Sequence, residues 1–409
     1  MEIGGDRSLG GGHADAIVEA RVGDRSAPAR RPRIVLAHDF LCGFRGGEAV
    51  LERLIGVVER VGEIAGLVAM FDDGRSLAPG VDRLRSRGLV SSSWASRIPG
   101  GAGGLRRWLL PLYPAAVADL SRAVGEWHRR EPIDLVVSIS AAAIKGIRPP
   151  PDVPHLCYSN GPARYVWSRG EDYGGGLRGL GLRLMGERFR RWDFRTAANV
   201  TTFLGNSTHI AAEVRRCYGR EAAVAFPPVR TGFYTPDPSV RREGFWLYAG
   251  AIEPYKRVDL ALAAGARAGR RIVIAGEGSM LAALRQNAPK EAEFAGRVSD
   301  EHLRDLYRTA AVLIFPQVED FGIVAVEAQA CGLPVVARRA GGALDTVIDG
   351  VTGALVDDPT PSAIADAARR CAAISPDACR SNAERYSEDA FDRTMLDHIA
   401  DAIARSKSL

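Results

Sequence analysis

The chain has 409 residues, 46% apolar and 25% charged, and its 54 basic and 49 acidic residues leave a formal net charge of +5. At about 100–200 residues per domain this length suggests two domains, and the apolar share excludes a disordered chain. A membrane-spanning helix is excluded as well, because no apolar run reaches about 18 residues.

The first 32 residues balance five acids with five arginines and lack the apolar stretch of a secretory signal, so residues 1–32 read as a flexible leader. Order is expected to begin at a buried strand over 34–37. A glycine-containing loop over 39–47 follows, and then a helix with Val50, Leu51, Leu54, Ile55 and Val58 on one face. This strand–loop–helix unit opens a doubly wound α/β domain. Further buried strands are predicted over 67–70, 135–139, 155–158 and 200–204, separated by amphipathic or loop segments as parallel sheets require.

Pro227-Pro228-Val229 and Thr235-Pro236-Asp237-Pro238 mark a linker over 227–243. A second alternation places strands over 245–250, 271–275, 311–315 and 334–337. The expected organisation is therefore a first domain over 33–230, a second over 240–385, and a C-terminal helix over 386–409 crossing back to the first. Ligands of such sheets bind beyond the carboxyl ends of the strands, so two Rossmann-like domains would face a central cleft.

Six scattered cysteines, with no CxxC pair and no histidine cluster, argue against structural zinc or disulfides and for reduced thiols in a cytoplasmic protein. Asp72-Asp73-Gly74 and Asp357-Asp358-Pro359 read as turns rather than metal ligands.

The most informative stretch runs from Glu319-Asp320-Phe321-Gly322-Ile323 through Glu327 to Cys331-Gly332-Leu333-Pro334. A helix starting near Phe321-Gly322 would turn backbone N–H groups and its positive dipole end toward an anion. Glu319 in the loop and Glu327 in the helix could then bind different hydroxyls of one polyol. Spacing alone leaves open a plainer arrangement, with Glu319 capping the helix and Glu327 a solvated acid.

These residues resemble the GT-B glycosyltransferases of family four, whose hallmark is two glutamates separated by seven residues in an E-D-F-G-x-x-x-x-E-A core. Gly276-Glu277-Gly278, Ala295-Gly296-Arg297-Val298, Gly341-Gly342-Ala343 and Asp349-Gly350-Val351-Thr352-Gly353 follow in family order. Asp39 with Gly46-Gly47-Glu48, Asn206-Ser207 and Pro227-Pro228-Val229 are similar to the bacterial mannosyltransferase-like branch, so the resemblance spans about residues 33–395. It implies retaining sugar transfer from a nucleotide-diphosphate sugar, UDP- or GDP-linked, as co-substrate, with no cofactor and no metal. Glu319 would contact the donor sugar and Glu327 the ribose. Asp320 and the backbone of Phe321, Gly322 and Ile323 would face the sugar or diphosphate, Gly276 would line the donor site, and Arg297 and Val298 would meet the base.

Lys256, one of only four lysines, matches the family lysine that neutralises the leaving diphosphate, and a fixed ammonium suits that developing charge. Arg257 could assist it or simply be a surface residue. Gly46 and Gly47 would bring backbone amides from the opposing domain, or merely permit a tight turn.

The sequence departs from the pattern at Ala251, where an arginine is common, and at Asn160, where the branch carries a histidine near the reacting sugar. Asn160 can donate a hydrogen bond but cannot take a proton. His38, Asp39 and Arg164 are the candidate acceptor contacts, although His38 could be structural and Asp39 a helix-start cap.

Residues 164–195 hold eight arginines against four acids, nearly the whole positive excess of the chain. Met185, Phe189 and Trp192 share a helical face there. The segment could lie on an anionic membrane, placing the protein at the inner membrane face, or pack its apolar stripe on the core with its arginines in water. Residues 105–110 offer a second basic and aromatic patch, and neither segment resembles a nucleic-acid module. The sequence therefore points to a glycosyltransferase acting on a glycan, a lipid-linked glycan or a small-molecule acceptor. Alternatives are a degenerate partner subunit that binds a nucleotide or glycan, and an epimerase or phosphorylase on the same fold.

Overall fold

The computed structural model describes residues 30–44, 46–103, 108–167 and 177–406. Most of the leader, part of the basic segment and residues 105–107 of the second patch lie outside the described residues. At the first described residue, Arg30 already pairs with Asp134 at 3.0 Å.

The first sheet contains β1 (Arg33–Leu41), β2 (Glu63–Asp72), β3 (Val90–Ser92), β4 (Leu135–Ser140), β5 (His155–Ser159), β6 (Thr202–Gly205) and β7 (Ala222–Val224). All its pairings are parallel, in the order β3-β2-β1-β4-β5-β6-β7. Helices cover both faces, so central strands are apolar throughout rather than alternating, and β4 is buried at every position. Four of the covering helices are α1 (Gly46–Val61), α2 (Tyr113–Arg130), α3 (Leu177–Thr196) and α4 (Thr208–Tyr218). The predicted face of α1 is the one it buries.

The second sheet contains β8 (Trp246–Ala249), β9 (Ile272–Ala275), β10 (Ala292–Gly296), β11 (Val312–Phe315), β12 (Val335–Arg338) and β13 (Gly353–Val356), parallel in the order β10-β9-β8-β11-β12-β13. With it come α5 (Val258–Ala268), α6 (Ile323–Ala330) and α7 (Ala343–Thr346). Strands β3, β7, β10 and β13 have no counterpart among those predicted. The first two are three residues long and half exposed, and no residue of β10 is fully buried, so these three leave little apolar pattern to read, whereas β13 is short but buried throughout.

The chain passes between the two cores between Ala225, packed in the first, and Val229, packed in the second, slightly before the boundary expected at 230. It returns beside this point, where the Val229 N–H donates to the Tyr386 carbonyl at 2.9 Å. Helix α8 (Glu388–Ser406) then lays Phe391, Met395, Leu396 and Ile399 into the first core. Arg53 Nε binds Asp392 Oδ1 at 2.7 Å across this contact.

Each sheet reverses its strand order, between β1 and β4 in the first and between β8 and β11 in the second. Loops diverge at such points and leave a crevice at the carboxyl ends. The strand ends of the second domain are tied closely, with Gly250 N–H to Ala275 O at 3.0 Å and Gly276 N–H to Gly296 O at 2.7 Å. Gly276 has φ +149°, and a Cβ there would stand 1.9 Å from the Gly250 carbonyl oxygen. Gly276→Ala is therefore expected to destabilise the protein by roughly 2–4 kcal/mol, from backbone strain and displaced chain together. Urea unfolding checks this, and an unchanged midpoint contradicts it.

Candidate active site

The first wall of the cleft is built from the ends of β1 and β5 and the start of α1. His38 is buried, with Nε2 3.6 Å from Glu48 Oε1, and its Nδ1 is buried without a hydrogen-bond partner among the described residues. A Cβ on Gly47 would stand 3.6 Å from His38 Cε1 and 3.7 Å from Asn160 Nδ2, so these three residues meet at the amino end of α1. Asn160 is held by Asn206, whose Nδ2 donates to its Oδ1 at 3.1 Å.

Asp39 has a different role from the acceptor contact considered for it. Its Oδ2 accepts the N–H groups of Ala141 and Ala142 at 2.7 and 2.8 Å, and its Oδ1 those of Ala143 and Ile144, both at 2.8 Å. A carboxylate offers about four acceptor sites, and all are occupied in holding the turn after β4. The side chain of Arg164 lies outside the described residues.

The second wall comes from the ends of β8 and β11. Lys256 closes the short turn Pro254–Lys256 after β8, and its ammonium pairs with the Glu319 carboxylate from the loop after β11. Both side chains are largely buried, at 15% and 17% exposure. The Gly342 N–H holds the Glu319 carbonyl at 2.8 Å, which fixes the loop from below.

Gly322 adopts φ +91° as the residue preceding α6, a conformation that only glycine takes readily. No side chain caps the helix, so its first amides are available to an anion. Phe321 turns its ring inward, 5.7 Å from Phe226 and 5.3 Å from Tyr386.

The walls approach closely. Ile323 Cδ1 lies 3.6 Å from where a Cβ on Gly46 would stand, and Asp320 Oδ2 lies 3.9 Å from the same position on Gly161. Thr208 at the start of α4 clasps Asp345 of α7 through its N–H at 2.9 Å and its hydroxyl at 2.7 Å.

Other candidates sit farther from this centre. Arg257 faces solvent and pairs with Asp259 at 3.0 Å, engaged away from the Lys256–Glu319 pair. Ala251 is exposed, and its carbonyl accepts the Tyr248 hydroxyl at 2.9 Å. Arg297 is exposed, while Val298 packs against the second core. Among the described residues no group of three or more His, Cys, Asp or Glu side chains is arranged to hold a metal ion.

Glu327, in the second turn of α6, is half-buried and accepts the hydroxyl of the fully buried Tyr307 at 3.3 Å. Burial pushes its carboxyl up to about 7, against the opposing pull of Arg230 and the Tyr307 hydroxyl. Arg230, Tyr307 and the Glu48 partner of His38 were not among the sequence candidates. Tyr307 meets Glu327 20 positions away, Glu48 meets His38 10 away, and Arg230 pairs with Asp300 70 away, beyond the reach of any local pattern.

Residues 238–388 match the family described as glycosyl transferases group 1. Outside the family description, the chain is similar to the D-inositol 3-phosphate glycosyltransferase of Acidothermus cellulolyticus, 34% identical over 222 residues covering 46% of this chain and 48% of that protein. The enzyme of the same name from Mycolicibacterium smegmatis is 43% identical over 122 residues, 27% of this chain and 28% of that one. The chain thus spans about half or less of the length of these curated relatives.

Among solved structures it is similar to sucrose-phosphate synthase from Thermosynechococcus elongatus, with TM-score 0.71 at 18% identity over 92% of this chain and 100% of that one. It is also similar to the Anabaena protein HepE in complex with UDP-glucose, with TM-score 0.61 at 17% identity over 90% and 99%. At these identities the likeness establishes the fold, the two-domain α/β GT-B architecture.

The raised Glu327 carboxyl has a measurable consequence. Its neutral form is favoured in the folded protein, so its contribution to stability is full below about pH 4.5 and is lost as the pH rises through about 7. Glu327→Gln removes that loss, and its melting temperature relative to the parent should be higher at pH 8 than at pH 5. An equal difference at both pH values contradicts the assignment.

Proposed function

We propose that the protein is a retaining, metal-independent glycosyltransferase that moves a sugar from a nucleotide-diphosphate sugar to a hydroxyl acceptor. The Lys256–Glu319 pair carries this reading. It places one cation and one hydroxyl acceptor side by side at the switch point of the second sheet, next to the uncapped amides of α6 and opposite the amino end of α1.

The donor diphosphate would lie between Lys256 and the amides of Gly322 and Ile323, with those of Gly46 and Gly47 beyond it. Glu319 would accept hydrogen bonds from the donor sugar, Glu327 from the ribose, and Val298 would meet the base. As the bond from the anomeric carbon to the phosphate oxygen breaks, negative charge grows on the diphosphate, where a fixed ammonium is worth more than in water. The acceptor hydroxyl attacks from the same face. Its oxygen forms the new glycosidic bond and its proton passes to the leaving phosphate oxygen, so no basic side chain is needed where Asn160 stands.

A structural neighbour crystallised with UDP-glucose favours a UDP-linked donor. A glycan, a lipid-linked glycan or a small molecule all suit the acceptor side. For a lipid-linked acceptor, exposed Trp108, Leu112 and Met185 beside Arg188 and Arg191 offer apolar and basic contact with an anionic inner membrane face. Among the described residues no helix is long and apolar enough to cross it.

Calorimetric titration with UDP-, GDP- and dTDP-sugars tests the donor. One class is expected to bind clearly more tightly, and no binding of any returns the reading to a degenerate subunit. Lys256→Ala and Glu319→Ala should each lower turnover by about 100-fold or more with circular dichroism unchanged. Full activity in either variant would overturn the assignment.

A further inference from the structure

The first domain carries a second concave surface away from the cleft. Helix α2, the end of α3 and residues 146–150 border a groove of about 780 Å³, within the common range for ligand sites of about 300–1,000 Å³. The segment 147–154 leads from the end of β4 back to the start of β5, and α3 leads toward the start of β6. The groove therefore lies on the flank of the sheet and reaches toward its amino edge, opposite the carboxyl-end cleft.

Arg122, Arg129, Arg148 and Arg195 line it, against one carboxylate, Glu126. Arg122 pairs with Asp119 at 2.8 Å, whereas the side chains of the other three make no ion pair among the described residues. Helix carboxyl ends alone would favour Arg129 and Arg195. They do not account for Arg148, on a loop, or Arg122, in mid-helix, facing the same space. Like charges gathered in a partly enclosed groove repel one another and favour a bound anion.

The floor is held rigidly. Trp192 lies over Gly146 so closely that a Cβ there would stand 2.7 Å from the ring. Asn199 Nδ2 donates to the Gly146 carbonyl at 3.0 Å, and Ser121 Oγ accepts the Arg148 N–H at 3.0 Å. One residue along on each side, buried Lys145 pairs with buried Asp193 at 2.9 Å. Trp167 and Tyr218 each donate to that carboxylate at 2.8 Å. This network fixes the two segments that carry Gly146 and Trp192.

We propose that this groove binds an acidic oligosaccharide. Guanidinium groups match carboxylates in planar, paired hydrogen bonds. The half-exposed Trp192 ring and Pro149 offer apolar surface to a sugar face, and Ser121, Thr196 and Asn199 offer partners for hydroxyls. A flat membrane cannot reach an aromatic recessed in a concave floor. The inference is independent of the chemistry assigned to the cleft.

The test uses the full chain and a fluorescently labelled hexamer of galacturonic acid, read by polarisation, beside maltohexaose, inorganic phosphate and phosphatidylglycerol vesicles. The acidic hexamer should bind, more weakly as salt is raised, and the neutral one should not. The double variant Arg148→Glu/Arg195→Glu should lose about 10-fold or more in affinity, with melting temperature and circular dichroism unchanged, while the double Lys variant keeps part of the binding. The proposal is overturned if the hexamer does not bind, if the folded Glu variant binds it equally well, or if only phosphate or the vesicles bind.

Discussion

The cleft depends on where the chain crosses between domains. It leaves the first core after Ala225 and returns at Ser387, and the two crossings are joined by the bond from Val229 to Tyr386. Beyond the return, α8 buries Phe391, Met395 and Ile399 in the first core, and Arg53 grips Asp392. Two strands crossing at one edge restrict relative motion of the domains to a hinge. Across the cleft, Thr208 and Asp345 make an exposed pair of hydrogen bonds, which a hinge can break without disturbing either core. One side of the molecule is thus tied by buried apolar surface, whereas this hydrogen-bonded pair on the other is one that water can replace.

Within that frame the chemistry collects where both sheets reverse their strand order. Lys256 and Glu319 arrive from neighbouring strands β8 and β11, and each partly buried charge is compensated by the other. The left-handed Gly322 lets α6 begin at the loop that carries Glu319 and turns its first amides outward. His38, Gly47 and Asn160 meet on the facing wall, while Asp39 one residue along is wholly engaged in shaping the turn beneath them. Adjacent residues therefore divide the work of holding the wall and presenting it.

The basic segment separates in a similar way. Phe189 and Trp192 pack into the first core, so the shared helical face seen in the sequence is chiefly a packing face, whereas Met185 is exposed. Arg195, at the end of the same helix, turns into a groove shared with α2 and the 146–150 loop. Charge that looked like one continuous patch along the chain is divided among different surfaces by the helical turn.

By itself the sequence determined the α/β alternation, the two-domain plan and the residues at the strand ends. Apolar runs and glycine positions are local signals, and the Glu319-to-Glu327 motif lies within one loop and helix. Edge strands β3, β7 and β10 escaped that reading because half-exposed residues carry little periodicity. Tertiary structure alone decided that Lys256 meets Glu319 across 63 positions of chain, that Asp39 reaches the amides after β4, and that Glu327 lies against Tyr307 with its carboxyl raised. Each depends on which strands become neighbours and on how deeply a side chain is removed from water, and a parallel sheet sets both through contacts remote in sequence.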